Sequence, residues 1–161
     1  SVLRDLGSTM APLNAYLTLI GLETLPLRMR QHMKNAELVA NFLKNHSKVN
    51  YVSWAGFKEN IYHELAKKYF KDGFGSVFTF SLKSGYEGAM QLVENCNLIS
   101  HLANVGDTRS LIVHPASTTH RQLSNEQKEK SGVGDSIIRL SIGLESHKDI
   151  IADLEGALST I

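Results

Sequence analysis

Residues 76–82 and 137–142 of this chain alternate between two sets of side chains, and such alternation is typical of β-strands. The predicted strands cover residues 49–53, 76–82, 109–114 and 137–142. In the last of these, Ile138, Leu140 and Ile142 share one face, which we predict to be buried. Arg139 is on the other face, between Ile137 and Ser141.

Apolar residues recur at three- and four-residue spacing elsewhere, which indicates amphipathic helices. We predict helices over residues 11–22 and 60–70, with Ile61, Leu65 and Tyr69 on one face of the second. Between them a longer apolar stripe is predicted to pack in the core; it contains Leu22, Leu25, Met29, Met33, Ala36, Ala40 and Leu43. Because Pro26 fits only a first helical turn, a break is predicted between Glu23 and Leu25.

Capping boxes, a Ser followed three residues later by Glu, Gln or Asp, mark three further helix starts. These pairs are Ser84 with Glu87, Ser124 with Gln127, and Ser146 with Asp149. The helices and strands do not alternate in regular βα units. The pattern favours an α+β fold, with a mainly antiparallel small sheet and helices packed on one face.

The composition limits the classes of protein to which this chain can belong. The chain has 161 residues, 42% of them apolar, and a formal net charge of +1, so it fits one domain without a nucleic-acid partner. No apolar run reaches the roughly 20 residues that span a bilayer, and no membrane partner is expected. The single cysteine, Cys96, cannot form an internal disulfide; we predict a half-buried, inert thiol and a reducing, cytoplasmic location.

Histidine spacing does not predict a metal site. His114 and His120 are six residues apart, without the i, i+4 spacing of a helical metal pair, and no Cys or acidic ligand accompanies them. We interpret both as loop histidines and predict no metal.

Arg139 is the main candidate for a ligand-binding side chain. A guanidinium on a rigid strand beside a small serine can bind a carboxylate through two parallel hydrogen bonds. Taken from this strand alone, an arginine on a solvated sheet face is the more common alternative.

The order of motifs around Arg139 resembles the pyridoxal-phosphate enzymes of cysteine and methionine metabolism, in particular their O-acetylhomoserine sulfhydrylase branch. The motifs are Asn104-Val105-Gly106-Asp107, His114-Pro115, Thr118-Thr119-His120 and Arg139-Leu140-Ser141-Ile142-Gly143. The resemblance implies that Arg139 binds the α-carboxylate of an amino-acid substrate. It implies a binding role for Asn104 as well, beside the alternative of a plain turn, and a weaker one for Thr119.

The resemblance also implies what a complete protein would do. It would be a homotetramer that binds pyridoxal 5'-phosphate and replaces the acetate of O-acetyl-L-homoserine by sulfide, giving L-homocysteine. Residues 1–161 would be its small C-terminal domain, of fold type I. The thiol donor could also be another small thiol, and the leaving group could be succinyl.

No lysine of this chain has a serine three residues before it, as the family's Schiff-base lysine does. The cofactor-binding large domain and all catalytic residues are therefore expected outside the chain, which lacks an initiator Met. We predict an inactive fragment without bound cofactor, and exposed apolar surface where the large domain would pack. A stand-alone, non-catalytic amino-acid-binding module and a purely structural interaction domain are the alternatives.

Overall fold

A computed structural model describes residues 2–161, and all of their side chains except those of residues 2, 3, 125 and 129. The described helices are α1 (Val2–Leu6), α2 (Pro12–Glu23), α3 (Leu25–Lys44), α4 (His63–Tyr69), α5 (Gly85–Asn95), α6 (Asn125–Lys130) and α7 (His147–Ser159). The described strands are β1 (Val49–Ser53), β2 (Val77–Leu82), β3 (Ser100–His101), β4 (Leu111–Val113) and β5 (Ile137–Ser141).

The strands form one mixed sheet in the order β1-β2-β5-β4-β3. Three neighbouring pairs are antiparallel, but β3 runs parallel to β4, with Ser100 opposite Leu111. The prediction of a mainly antiparallel sheet therefore needs correction at this edge. Its cause is β3, which has only two residues and therefore too few to show an alternating pattern.

The core lies between one face of the sheet and helices α3, α5 and α7. Ile138, Leu140 and Ile142 are fully buried in it, so the predicted core face of the last strand is confirmed. Phe80 of β2 and Ile112 of β4 lie opposite Ile138 and Leu140 and add to the same layer. Burial of such aliphatic side chains stabilises a fold by about 1.5–3 kcal/mol each.

The predicted break between Glu23 and Leu25 is confirmed, since α2 ends at Glu23 and α3 begins at Leu25. The long apolar stripe is only partly a core stripe. Ala36, Ala40 and Leu43 are buried, whereas Leu22 is exposed and Met29 only half-buried. The stripe extends N-terminally beyond the region that the sheet covers.

Helix α4 is shorter than the predicted range 60–70, and its apolar face is turned to solvent. Ile61, Leu65 and Tyr69 are all exposed, and His63 and Ala66 are buried instead. Apolar spacing indicates which residues share a helix face, but it cannot show what covers that face.

One of the three predicted capping boxes forms in the structure. At α6, Ser124 N–H donates to Gln127 Oε1 (2.9 Å) and Gln127 N–H donates to Ser124 Oγ (3.3 Å), so this box is confirmed. Ser84 and Ser146 stand at the N-caps of α5 and α7, but neither side chain makes a capping hydrogen bond. For those two helices only the predicted start is correct.

Neither a membrane-spanning helix nor a metal-binding cluster occurs among the described residues. No described helix has the length and apolar character needed to cross a bilayer. Across the same residues, His, Cys, Asp and Glu side chains do not gather in threes or more where a metal ion could bind.

Candidate functional site

Arg139 lies in the middle of β5, between β2 and β4. Its directly opposite neighbours are Thr79 on β2 and Val113 on β4, whose side chains project from the same sheet face. Ile137 and Ser141, the adjacent positions of this face on β5, are buried, and Arg139 itself is half-buried. The arginine therefore does not stand on an open, solvated sheet face.

The guanidinium of Arg139 meets the turn that begins at Asn104. Its Nη2 donates to the backbone carbonyl oxygen of Asn104 at 3.3 Å. A guanidinium has five N–H donors, and this is the one hydrogen bond recorded for Arg139 with the described residues. Within that part of the chain, no carboxylate forms an ion pair with it. Each guanidinium nitrogen thus keeps at least one N–H for a ligand.

The turn at residues 104–107 is organised by its own polar side chains. Asn104 Oδ1 accepts from the N–H of Val105 at 2.8 Å, and Gly106 has a positive φ of 76° that suits glycine. Asp107 Oδ1 accepts from the N–H of Arg109 at 3.0 Å, and this bond lowers the pKa of Asp107. Asn104 therefore reaches Arg139 through its backbone, while its exposed side chain stabilises the turn. We call Arg139 and the turn of residues 104–107 the clamp.

A buried polar network joins the start of β4 to the segment after β5. Glu145 accepts from Ser110 twice, from its N–H at 2.6 Å and from its hydroxyl at 2.8 Å. The Ser110 hydroxyl in turn accepts from the N–H of Gly143 at 2.8 Å. Asn35 of α3 donates to the carbonyl oxygens of Gly143 and Glu145, at 3.0 and 2.8 Å. We call these four residues the Ser110–Glu145 network.

Sequence reasoning assigned no role to the members of this network. Asn35 lies on the predicted long helix and Glu145 just beyond the Arg139 motif, but each bond joins residues more than thirty positions apart. The only available signal was the presence of polar residues next to predicted core positions. His32, one turn before Asn35, is likewise fully buried, and its Nδ1 lies 2.6 Å from the carbonyl oxygen of Ile142.

Thr119 is not part of the clamp. It is exposed, and its hydroxyl lies 2.8 Å from His120 Nδ1. Within the described part of the chain, no hydrogen bond connects it with Arg139 or Asn104. His114 is fully buried, and its Nε2 donates to the carbonyl oxygen of Asp135 at 2.8 Å. That histidine therefore holds its loop in place.

Three lysines make their contacts away from the clamp. The side chains of Lys67 and Lys130 pair with Glu64 and Glu126 on exposed helix surfaces. Lys48 donates to the carbonyl oxygen of Leu158 near the end of α7. None of these contacts brings an amine to the clamp.

A cavity of about 420 Å³ lies apart from the clamp residues and is lined by Arg30, Lys34, Glu37, Asp72, Trp54 and Phe74, among others. Its two basic and two acidic side chains offset one another, so it carries no clear preference for a charged ligand. We therefore place the candidate site at the clamp, where a cation lacks an internal counter-ion among the described residues.

Comparison with known proteins gives a consistent set of relatives. The model of the family described as Cys/Met metabolism PLP-dependent enzyme matches residues 1–159. O-acetyl-L-homoserine sulfhydrylase 1 of Thermus thermophilus is 46% identical over 98% of this chain and 37% of its own length. Homocysteine synthase of Schizosaccharomyces pombe is 46% identical over 97% of this chain and 36% of its own. An L-methionine gamma-lyase of Fusobacterium nucleatum is 43% identical over 99% of this chain and 40% of its own length.

A solved structure agrees with these relatives. The putative O-acetylhomoserine (thiol)-lyase of Campylobacter jejuni has a TM-score of 0.90 and 48% identity. The match covers 99% of this chain and 38% of that one, which was solved with N'-pyridoxyl-lysine-5'-monophosphate. The chain thus spans about two fifths of the length of the proteins it matches.

Proposed function

We propose, since this chain belongs to the Cys/Met metabolism family of PLP-dependent enzymes, that it is the substrate-carboxylate-binding part of an O-acetyl-L-homoserine sulfhydrylase. The complete protein would replace the acetate of O-acetyl-L-homoserine by sulfide and yield L-homocysteine. The observation that carries the proposal is Arg139, half-buried on a central strand and without an acidic partner among the described residues. Relatives named for this activity support the choice of substrate.

The role of the chain in this reaction is to bind and orient the substrate. Two N–H groups of Arg139 bind the α-carboxylate in parallel, which fixes both its position and its plane. The carbonyl oxygen of Asn104 accepts a further N–H and restrains rotation of the guanidinium. A rigid strand suits this task, because misplacement by about 1 Å can lower a rate roughly a hundredfold.

We further propose that residues 1–161 form the small C-terminal domain of that enzyme and that a cofactor-binding large domain precedes them. Support comes from relatives that are more than twice as long as this chain. Translation of the gene upstream of the codon for Ser1 tests this placement. An upstream stop codon in frame would contradict it.

Assembly and location belong to the same proposal. The exposed apolar side chains of α2 support a homo-oligomer, a tetramer in the complete enzyme. The half-buried Cys96 thiol, which has no cysteine partner in the sequence, supports a reducing cytoplasm.

The test of the function is Arg139→Ala in the complete protein. Because a hydrogen-bonded charged group contributes about 1.5–3 kcal/mol, we expect the KM for O-acetyl-L-homoserine to rise roughly tenfold to a hundredfold. Arg139→Lys should recover only part of this loss, since an ammonium cannot form two parallel bonds. Homocysteine formation is the readout.

Arg30→Ala is the matched control, because Arg30 is an exposed arginine on α3. It should leave the KM unchanged. A wild-type KM in Arg139→Ala would remove Arg139 from the site.

A second candidate is a stand-alone amino-acid-binding module. It is favoured by one observation, that both parts of the clamp come from this chain alone. Titration of the isolated chain with O-acetyl-L-homoserine in a calorimeter separates the two functions. Binding that Arg139→Ala abolishes would favour the module, and absence of binding would favour the enzyme part.

A further inference from the structure

We infer that Glu145 is a positioning residue for the clamp. It holds residues 108–110, which follow the Asn104 turn and which we call its root, against the end of β5, so that Asn104 meets Arg139. The inference rests on the proposed function, because it assigns a task to a residue that does not itself touch the substrate. The turn has no regular secondary structure, so contacts with neighbouring segments hold it in place.

The turn at residues 104–107 lies between β3 and β4, and its own hydrogen bonds are local and exposed. Local bonds give the turn its shape but do not fix its position relative to β5. Its position is set from both sides. Before the turn, β3 pairs with β4. After it, residues 108–110 lead into β4. At these residues the chain makes its bonds to the segment after β5.

Four hydrogen bonds join that root to the segment after β5. One is the bond from the N–H of Gly143 to the Ser110 hydroxyl. Glu145 accepts from both donors of Ser110, and the N–H of Leu144 donates to the carbonyl oxygen of Thr108 at 2.8 Å. Ser110 is fully buried. Hydrogen bonds to a charged group in such surroundings are stronger than neutral ones. The two bonds of Glu145 therefore contribute most to holding the root in place.

Close backbone packing makes this fastening specific. A Cβ atom on Gly143 would lie 2.4 Å from the carbonyl carbon of Arg109 and 2.5 Å from the nitrogen of Ser110. The two segments are therefore in direct backbone contact, and Glu145 spans the contact. Asn35 ties the same segment to α3, which packs in the core.

The consequence for the clamp follows from chain connectivity. Arg139 is four residues before Gly143, and Asn104 is six residues before Ser110. When Glu145 holds the two ends together, the carbonyl oxygen of Asn104 comes within 3.3 Å of the guanidinium. Without the two bonds of Glu145 the turn is held less firmly, and the guanidinium is less restrained.

The test uses Glu145→Gln in the complete holoenzyme. An amide carries no charge, and its nitrogen can only donate to the Ser110 hydroxyl, so both bonds to Ser110 lose their charge assistance with no change in volume. We expect the KM for O-acetyl-L-homoserine to rise about tenfold, a ratio that corresponds to roughly 1.4 kcal/mol, while kcat stays within about twofold of wild type. Glu94→Gln, an exposed glutamate on α5, is the control and should behave as wild type.

Two readouts separate positioning from a general structural effect. The carboxamide of O-acetyl-L-homoserine lacks the charge that the clamp recognises, so Glu145→Gln should reduce the preference for the acid over the carboxamide. In an Arg139→Ala background, Glu145→Gln should raise the KM no further. An equal rise in both backgrounds, or an unchanged preference, overturns the inference.

The remaining outcomes are also decisive. If Arg139→Ala raises the KM and Glu145→Gln does not, the inference is wrong and the proposed function stands. If Arg139→Ala has no effect, the proposed function fails as well. Ser110→Ala removes the partner hydroxyl and should reproduce the result. Loss of the fold in both variants overturns the inference, because the network would then serve folding rather than positioning.

Discussion

Cys96 follows helix α5, and its thiol is half-buried, as the sequence predicted. Burial raises the pKa of Cys96 to about 12, and the nearby negative charge of Asp153 acts in the same direction. Since the thiolate is the reactive form, very little of it exists near neutral pH.

We therefore expect Cys96 of the folded protein to react with iodoacetamide at pH 8 roughly a thousandfold more slowly than a free cysteine. Mass spectrometry of the alkylated protein over time measures the rate. The same chain in 8 M urea, about the strength that denatures most domains, is the control and should react at the ordinary rate. Equal rates in the two states would contradict the burial of the thiol.

His114 is predicted to make the stability of the fold pH-dependent. Burial lowers the pKa of His114 below its ordinary 6.5, with the bond to Asp135 opposing the shift in part. The unfolded chain therefore binds a proton that the folded chain does not, and the free energy of unfolding falls as pH decreases below 6.5.

The measurement is urea unfolding between about pH 5 and 8. His114→Gln keeps a donor for the carbonyl oxygen of Asp135 and does not titrate, so its stability should fall less steeply towards acid pH. Parallel curves for variant and wild type would exclude His114 as the source.

At the scale of elements, the close contact between the end of β5 and the start of β4 needs Gly143. Its missing Cβ leaves room for the backbone of Arg109 and Ser110, as described above. We expect Gly143→Ala to lower the free energy of unfolding by about 1–3 kcal/mol, the usual range for overpacking.

Gly156→Ala provides a matched comparison for this prediction. Gly156 lies on an exposed part of α7, and nothing lies within 4 Å of an added Cβ. Alanine there should raise stability by roughly 0.5–1 kcal/mol. Urea denaturation of both variants would reveal the opposite signs, and a neutral Gly143→Ala would contradict the packing argument.

Elements with a clear local period were predictable from the sequence. Alternation located β5 and its core face, since the side-chain direction of a strand follows from position alone. The strand β3 was missed because two residues show no period. The exposure of the apolar face of α4 could not be predicted, because periodicity does not identify a packing partner.

The candidate site was also predictable only in part. Alternation showed that Arg139 leaves the core, and the resemblance brought Asn104 to attention. The bonds of Glu145 to Ser110 could not be predicted, because they depend on the sheet register that places two distant segments side by side. The substrate-binding roles of Arg139, Asn104 and Thr119 stay predictions until the variants are measured.

The whole molecule carries much exposed apolar surface, as the sequence analysis expected. No residue of α2 is buried, and its exposed side chains include Leu13, Tyr16, Leu17 and Ile20. Contiguous apolar surface of this kind marks an interaction site in a soluble protein.

We expect the isolated chain to bind the dye ANS and to self-associate, because this surface is not covered. Leu13→Glu with Leu17→Glu should reduce both the dye fluorescence and the sedimentation coefficient. Thr18→Glu adds one charge at an exposed polar position of the same helix and is the control. Absence of dye binding by the unmodified chain would contradict the expectation.

The two outer strands of the sheet, β1 and β3, disfavour self-association by strand pairing. β3 has only two residues, and β1 has an irregular register between Val49 and Tyr51. Short or bulged edges are poor templates for adding strands from another molecule. Contacts between isolated chains should therefore form through helices and leave each sheet intact, so that dilution releases native monomers instead of leaving amyloid-like fibres.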